Sequence, residues 1–379
     1  MNHPFSQRKP REKSRIPFLR LLLCACQLIF TSCSTNTVEQ GVEPGLPTIP
    51  AIHSPHEFLS DYNLFIGEMK HLTPTDRLIP YDLNTQLFTD YAKKQRFAYV
   101  PMESKIAITN TNGLTFPVGS ILVKNFFYST DNRTPGSGRT LIETRLLIRY
   151  EEGWQPNTYL WNSDQSEAVL LRTGDTRPFS WIDKDGLTRN VSYSIPSVND
   201  CGTCHGKRGN VLPLGPEIKN LNKNYGYADG IENQLARWNS TGFFEELPDP
   251  VSMEALPVWD DEESGLVELR ARAYLDVNCS SCHSRSGSAR SSGLYLTYEE
   301  ESSERIGICK IPVAAGFVGD GFKYNIVPGK PAQSILVHRM NSTDPNIRMP
   351  ELGRTLIHEE AVGLIKEWIE SMNLPPCGE

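Results

Sequence analysis

Two copies of one short motif, C-x-x-C-H, occur in this chain, at positions 201–205 and 279–283. Each copy places two thiols and one imidazole next to one another. The thiols can each add across a vinyl group of haem, and the histidine that follows can bind the iron as its proximal ligand. The motifs therefore predict two covalently bound haem c groups, held by Cys201, Cys204, Cys279 and Cys282 and ligated by His205 and His283.

Two other uses of such motifs are zinc binding and redox chemistry. Zinc ribbons also contain two C-x-x-C pairs, but those pairs usually stand roughly 15–20 residues apart. The pairs in this chain are separated by the much longer stretch 205–278. A thioredoxin-like pair needs no histidine and follows a strand in a βαβ pattern. Covalent haem accounts for the histidine in both copies, and zinc or plain disulfides remain the alternatives.

The N-terminus has the pattern of an export signal. Basic residues from Arg8 to Arg20 precede the apolar run 21–30, which is too short for a permanent membrane-spanning helix. The run leads into Cys33 through small residues, which resembles the lipobox of bacterial lipoproteins. We therefore predict a signal peptide over 1–32, lipidation of Cys33 and an oxidising compartment. Lipidation at Cys26 and an ordinary secretory cleavage are the alternatives.

The formal net charge of the chain is −7, and most of the early basic residues lie in the signal. The exported part is therefore more acidic still. Such a balance argues against nucleic acid as a partner. It suits a redox partner protein with a basic docking patch.

Nine cysteines are present, and the predicted roles leave two of them over. Cys24 and Cys26 belong to the signal, Cys33 takes lipid and four cysteines take haem. An even remainder in an oxidising compartment predicts a disulfide between Cys309 and Cys377.

The length favours about two domains. After a tether over 33–55, β-prone runs with turn residues between positions 96 and 196 predict about six strands in an antiparallel sheet or small sandwich. These runs place the first motif in a β-rich domain over 56–246, followed by a proline-containing linker over 247–261. Helical periodicity before Cys279, over 334–340 and over 357–368 then predicts an all-helical domain over 262–379. The predicted fold class is α+β.

The order of features in 262–379 resembles that of a class I cytochrome c: a helix, C-x-x-C-H, loops, a Met-Pro pair and a terminal helix. Met349, followed by Pro350, is the predicted sixth ligand of the second haem, because thioether sulfur is a common partner of histidine on iron. The segment 348–353 looks like the ligand loop of many class I domains. Met340 is the rival ligand.

The first haem has no clear sixth ligand in the sequence. No further Met or His stands between His205 and Met253, so Met253 is one candidate. Met69, His71 and Met102 are the others. An open iron site is the remaining possibility.

The chain from about position 58 onward resembles a family of two-haem c-type cytochrome lipoproteins of Gram-negative bacteria. The segments that carry the resemblance are 80–84, 116–119, 150–161, 195–206, 274–283 and 348–354. The resemblance implies covalent haem and a position in the cell envelope, anchored to the outer membrane facing the periplasm or at the cell surface.

The expected function is electron transfer between envelope proteins, with membrane attachment through the N-terminal lipid. One alternative is a haem enzyme, a peroxidase or an oxidoreductase of a small nitrogen compound, with an open iron at His205. Another is a binding module whose β domain captures a ligand while the haems relay electrons.

Overall fold

The β-prone runs of the first half of the chain fold into strands. The computed structural model describes residues 49, 52–109, 113–207, 210–313 and 321–378. In chain order its strands are β1 (Phe65–Ile66), β2 (Thr73–Pro74), β3 (Leu78–Tyr81), β4 (Lys93–Tyr99), β5 (Ala107–Ile108), β6 (Leu114–Thr115), β7 (Ile121–Ser129), β8 (Arg139–Tyr150), β9 (Gly153–Trp161), β10 (Ala168–Leu171), β11 (Asp175–Ile182), β12 (Thr188–Ile195), β13 (Gly206–Lys207), β14 (Asn210–Val211), β15 (Asn224–Tyr227) and β16 (Gly230–Asn233).

The α-helices of the described residues all follow β12. In chain order they are α1 (Val198–His205), α2 (Ile218–Leu221), α3 (Gln234–Ser240), α4 (Val267–Cys279), α5 (Ser303–Ile306), α6 (Ile335–Met340) and α7 (Glu359–Ser371). Short 3-10 turns occur at Leu59–Tyr62, Met69–His71, Pro250–Ser252, Glu262–Ser264, Arg290–Ser292 and Pro331–Gln333.

Six strands form one antiparallel sheet in the order β10-β9-β8-β7-β4-β3. The long strands β8 and β9 are joined by a tight turn between Tyr150 and Gly153. Gly153 has a φ of 136°, a conformation that glycine adopts without steric cost. The strands β11 and β12 pair with each other in a separate hairpin. The antiparallel sheet predicted between positions 96 and 196 is therefore present, and β3 extends it on the N-terminal side.

The central strand β7 is buried on both faces because its side chains alternate between two hydrophobic clusters. Ile121 and Val123 belong to one cluster, which also contains residues of the N-terminal segment 59–65. Leu122 belongs to the opposite cluster, which contains Trp238 of α3. Side chains two apart on a strand share a face, so Lys124 lies on the same face as Leu122.

Helices α4 and α7 pack together and form the hydrophobic centre of the C-terminal part. Ala271 and Leu275 of α4 share a buried cluster with Ile365 and Trp368 of α7. The apolar residues of α7 recur every three or four positions, which gives the helix one apolar face. The helical periodicity of the sequence correctly predicts these two helices.

The prediction of an α+β fold with a separate all-α, class I cytochrome c-like domain over 262–379 is wrong. The structure is β-rich around the six-stranded sheet, and residues 46–379 belong to one compact unit. Besides α4 and α7, the described C-terminal residues form the short helices α5 and α6, single 3-10 turns and long irregular loops. Periodicity identifies individual helices, but it carries no information on how they pack against distant parts of the chain.

Polar contacts join the C-terminal part to the segment before β4. The carboxylate of Asp90 accepts hydrogen bonds from the backbone amides of Thr355 and Leu356 at 2.7 and 2.8 Å. The side-chain oxygen of Asn278 accepts one from the amide of Phe88 at 2.8 Å. Because Asp90 is almost fully buried, these bonds are shielded from water and bind the two parts closely.

The predicted linker 247–261 lies along the β-rich part. Leu256 is buried, and the carbonyl of Pro257 accepts a hydrogen bond from the Thr85 hydroxyl at 2.8 Å. The predicted signal peptide 1–32, the lipidation site Cys33 and nearly all of the tether 33–55 lie outside the described residues. Among the residues that are described, no helix is both long and apolar enough to cross a membrane.

Candidate functional site

The first C-x-x-C-H motif forms most of helix α1. The helix begins after Ser197, whose hydroxyl accepts a hydrogen bond from the Asp200 amide while the Asp200 carboxylate accepts one from the Ser197 amide. This capping box fixes the start of the helix directly after β12. Cys201 is buried, and Cys204 is half-buried one turn further along, next to His205 at the end of the helix. The hairpin of β11 and β12 therefore leads directly into the helix that carries the motif.

The second motif continues from the C-terminus of α4. Cys279 is the last residue of the helix, and the amide of His283 donates a hydrogen bond to its carbonyl at 2.8 Å. The backbone therefore keeps a helical turn beyond the end of α4. This turn brings Cys279, Cys282 and His283 to one side of the chain, as two thioether attachments and one iron ligand require.

Both motifs line a single cavity of about 600 Å³. Its walls come from the central sheet strands, the segment 87–89, helices α4 and α6, and the segment 349–354. All four motif cysteines and both motif histidines contribute to the lining. A large cavity with mainly apolar walls and a few placed polar groups is typical of a cofactor site.

The two histidines are oriented by hydrogen bonds to Nδ1. The Nδ1 atom of His205 lies 2.8 Å from the carbonyl oxygen of Leu212. The Nδ1 atom of His283 lies 3.4 Å from the hydroxyl of Ser292. This arrangement leaves Nε2 as the ring nitrogen that can bind iron. In metal sites the nitrogen that does not bind the metal usually makes a hydrogen bond, and that bond fixes the orientation of the ring.

The charge state of both imidazoles also suits a metal ligand. Burial lowers the pKa of His205 to about 4, and nearby Lys124 adds to the effect. Burial likewise lowers the pKa of His283. Both rings are therefore neutral at pH 7, which is the form that coordinates metal.

The second cysteines of the two motifs lie close together at the cavity. The interaction between them lowers the pKa of the Cys282 thiol and raises that of Cys204. For the first cysteines the main effect is burial, which raises the pKa of Cys279 to about 12 and also raises the pKa of Cys201. The attachment points of the two predicted groups are therefore adjacent, although the motifs are distant in sequence.

Met349 lines the cavity on the side of the second motif. Its amide donates to the carbonyl of Arg339 at 3.0 Å, and its own carbonyl accepts from the guanidinium of Arg354 at 2.7 Å. The neighbouring Glu351 also lines the cavity, and its charge acts on Cys282 and His283. The structure therefore brings the predicted sixth ligand and the second motif to the same cavity.

The candidate ligands of the first haem do not line the cavity. Met253 packs at the edge of the hydrophobic cluster around Trp238, and Met69 packs on the opposite side of the sheet. His71 is exposed, and Met102 is 70% exposed. The rival Met340 does line the cavity, from α6.

His358 is a cavity-lining residue that the sequence did not reveal. It precedes α7, stacks on Phe88 with ring centroids 4.1 Å apart, and has Nδ1 3.1 Å from the Tyr274 hydroxyl. Burial lowers its pKa to about 3. No motif marks this residue, because its partners come from distant segments of the chain.

The structure contains a disulfide between Cys309 and Cys377, the two cysteines left over by the sequence prediction. It joins the segment after α5 to the C-terminal tail. In the described residues no group of three or more His, Cys, Asp or Glu side chains is arranged to hold a metal ion.

Comparison of the chain with protein-family models, curated proteins and solved structures finds no match.

Proposed function

We propose that this chain is a two-haem c-type cytochrome that transfers electrons at the bacterial cell envelope. The observation that carries the proposal is the shared cavity, which both C-x-x-C-H copies line with an available imidazole nitrogen each. The volume and apolar character of the cavity fit a large planar cofactor. A disulfide elsewhere in the chain agrees with an oxidising compartment.

Each residue of the site has a distinct role in this proposal. The four motif cysteines attach the two groups, and His205 and His283 bind iron. Met349 would supply a thioether ligand to the second haem, which would favour its ferrous state. Bound haem supplies reversible one-electron chemistry. The protein holds the ligands in place, and the apolar walls of the cavity limit the access of water.

The location is part of the same proposal and rests on the sequence. Lipid on Cys33 would attach the protein to the outer membrane, facing the periplasm or the cell surface. The acidic exported chain would dock on a redox protein with a basic patch. The resemblance to two-haem cytochrome lipoproteins of Gram-negative bacteria supports the location.

Covalent attachment can be tested by counting haems. The protein is expressed with the c-type maturation machinery, and the intact mass and haem-stained denaturing gels are compared among variants. We expect two haems in the wild type and one each in C201A/C204A and C279A/C282A. Complete extraction of haem by acid–acetone, or a wild-type mass with fewer than two haems, would refute the proposal.

A second candidate function is a haem enzyme with an open iron at His205. It is favoured by one observation: Met253, a candidate sixth ligand of the first haem, does not line the cavity. Apart from the motif histidines, the described Met and His residues that line the cavity are Met340, Met349 and His358. All three belong to the C-terminal part. The C279A/C282A variant isolates the first haem. A ferric high-spin spectrum that converts to low-spin with cyanide would favour the enzyme, whereas a low-spin spectrum at rest would favour electron transfer alone.

A further inference from the structure

Three basic residues stand side by side across the sheet at the cavity. Arg96 of β4 pairs in register with Lys124 of β7, and Lys124 pairs with Arg145 of β8. Lys124 and Arg145 both line the cavity. Like charges directly opposite each other in a sheet repel one another, so this row must be balanced by anions.

The two outer members of the row have carboxylate partners. Arg96 donates to Asp82 at 2.8 Å. Arg145 donates to Glu143 at 2.9 Å, and the same carboxylate accepts a hydrogen bond from the Tyr193 hydroxyl at 2.7 Å. Glu143 is fully buried, and its carboxylate accepts hydrogen bonds from both Arg145 and Tyr193. Arg145 therefore has an anionic partner within the protein and needs no further ligand.

The central residue of the row has no such partner. Among the residues that the structure describes, the Lys124 ammonium has no hydrogen bond or ion pair, and it lies 5.7 Å from the centroid of the Phe126 ring. The charge of Glu143 acts on Lys124, but this carboxylate is hydrogen-bonded to Arg145 and Tyr193. Burial and the nearby cations lower the pKa of the neighbouring Lys94 well below its usual range, and its amino group donates to the Ala92 carbonyl at 3.1 Å. Asp200, an acid that lines the cavity, is committed to the capping box of α1.

The electrostatics reflect this excess of positive charge. Burial, together with Arg96 and Arg145, lowers the pKa of Lys124 to about 7. The charge of Lys124 is in turn felt at Cys201 and His205 of the first motif. A cation in this position is stabilised by an anion entering the cavity, because low dielectric strengthens the attraction.

We propose that Lys124 is the cation of a carboxylate-binding site on the cavity wall beside the first motif. The carboxylate is either a propionate of the haem attached at Cys201 and Cys204, or a small free carboxylate that enters the cavity. The site thus rests on the proposed haem, and it adds an anchoring and charge-balancing group to the first attachment site.

The test compares three variants of the fully loaded protein. Lys124→Gln removes the charge, and Lys124→Arg keeps it. Lys93→Gln is the matched control, because Lys93 lies on the neighbouring strand β4, is exposed and donates a hydrogen bond to the Ser129 hydroxyl. Haem content is measured first, so that failure of covalent attachment is recognised separately. The reduction potential of the first haem is then measured in the C279A/C282A background between about pH 6 and 8, with and without acetate at constant ionic strength.

If the carboxylate is a haem propionate, the reduction potential of the protein that retains Lys124 should not change across this pH range, because the paired ammonium no longer titrates near pH 7. Lys124→Gln should then lower the potential, Lys124→Arg should have the same potential as the protein with Lys124, and acetate should have no effect. If the site binds a free carboxylate, the potential should fall as the pH rises through about 7 without acetate, and it should stay constant with acetate. Acetate should then have no effect on the potential of Lys124→Gln.

Two results would overturn the proposal. One is a potential that falls through about pH 7 whether or not acetate is present, because Lys124 would then titrate as an unpaired amine. The other is a potential in Lys124→Gln equal to that in Lys93→Gln.

Discussion

Cys204 and Cys282, the second cysteines of two motifs that are far apart in sequence, both line the cavity and lie close enough for each to shift the pKa of the other. The folded chain therefore holds the two motifs near each other: α1 follows the hairpin of β11 and β12, and α4 packs on α7. A protein with haem at both motifs would have two neighbouring attachment edges. This proximity favours direct exchange of electrons between them.

The same contact predicts a specific disulfide in protein made without haem. Cys282 has the lower pKa of the pair, so its thiolate attacks oxidised glutathione and releases one glutathione thiolate. Cys204 then attacks the Cys282 sulfur of the mixed disulfide and releases the second glutathione. Two thiols are oxidised and one glutathione disulfide is reduced. We expect a non-reducing peptide map to contain the Cys204–Cys282 bridge, and haem-loaded protein to lack it.

Cys204→Ser provides the control, since it should abolish this bridge and leave Cys282 linked to glutathione or to Cys279. A map of wild-type protein containing only bridges within each motif would contradict the contact.

Met349 should determine the potential of the second haem. Met349→Ala removes a thioether that stabilises ferrous iron, so the potential of the second haem should fall and the sulfur-to-iron absorption band of the ferric protein should disappear. The measurement is a spectroscopic redox titration. Met340→Ala is the control from the same cavity, and the ligand assignment would fail if that variant lost the band instead.

Arg354 should hold the Met349 segment in place. Its guanidinium, in a side chain that is only 5% exposed, donates to the carbonyls of Met349 and Leu356 at 2.7 and 3.0 Å. Arg354→Gln leaves these partly buried carbonyls and the buried carbonyl of Met340 without their donor, so the free energy of unfolding should fall by about 3 kcal/mol. Urea unfolding measures the loss. Arg348→Gln, at an exposed bond to the Glu351 carbonyl, should change it by less than about 0.5 kcal/mol.

Local patterns in the sequence predicted several parts of the structure. Alternating and β-branched residues gave the antiparallel sheet, and apolar spacing gave α4 and α7. The pairing of Cys309 with Cys377 followed from counting cysteines in an oxidising compartment. These features depend on neighbouring residues or on composition, which a single sequence records directly.

Features that depend on long-range packing were missed. The Arg96–Lys124–Arg145 row exists because the registers of β4, β7 and β8 align, and registers are set by turns and by the packing of both sheet faces. The position of His358 at the cavity depends on Phe88, a residue from the other end of the chain. The joining of 262–379 to the β-rich part rests on Asp90 and similar buried contacts, which carry no local signature.

The Cys309–Cys377 disulfide should stabilise the C-terminal part. It closes a separation of 68 residues, for which the loss of chain entropy in the unfolded state gives about 4 kcal/mol at most. The variant C309A/C377A should therefore unfold at lower urea concentration. Its second haem should keep its absorption spectrum, because neither cysteine lines the cavity. A free thiol at either position in wild-type protein matured in the periplasm would refute the bond.

Acid should destabilise the fold through His358. Its side chain is 12% exposed, and burial, with Lys94 and Arg354 nearby, lowers its pKa to about 3. An unfolded histidine has a pKa of about 6.5. The neutral ring therefore contributes its full stability above about pH 6.5, and this contribution is lost progressively as the pH falls towards 3.

The variant His358→Gln cannot take up this proton, so it should lose less stability in acid than the wild type. Each unit of pH below 6.5 is worth about 1.4 kcal/mol for one group, so the difference should reach about 2 kcal/mol between pH 6 and pH 4. Urea unfolding across this range measures it. His71→Gln, at an exposed histidine, should follow the wild-type curve. If His358→Gln followed that curve as well, the ring would be protonated in the folded protein, and its stacking on Phe88 would have to be reconsidered as a contact of a charged imidazolium.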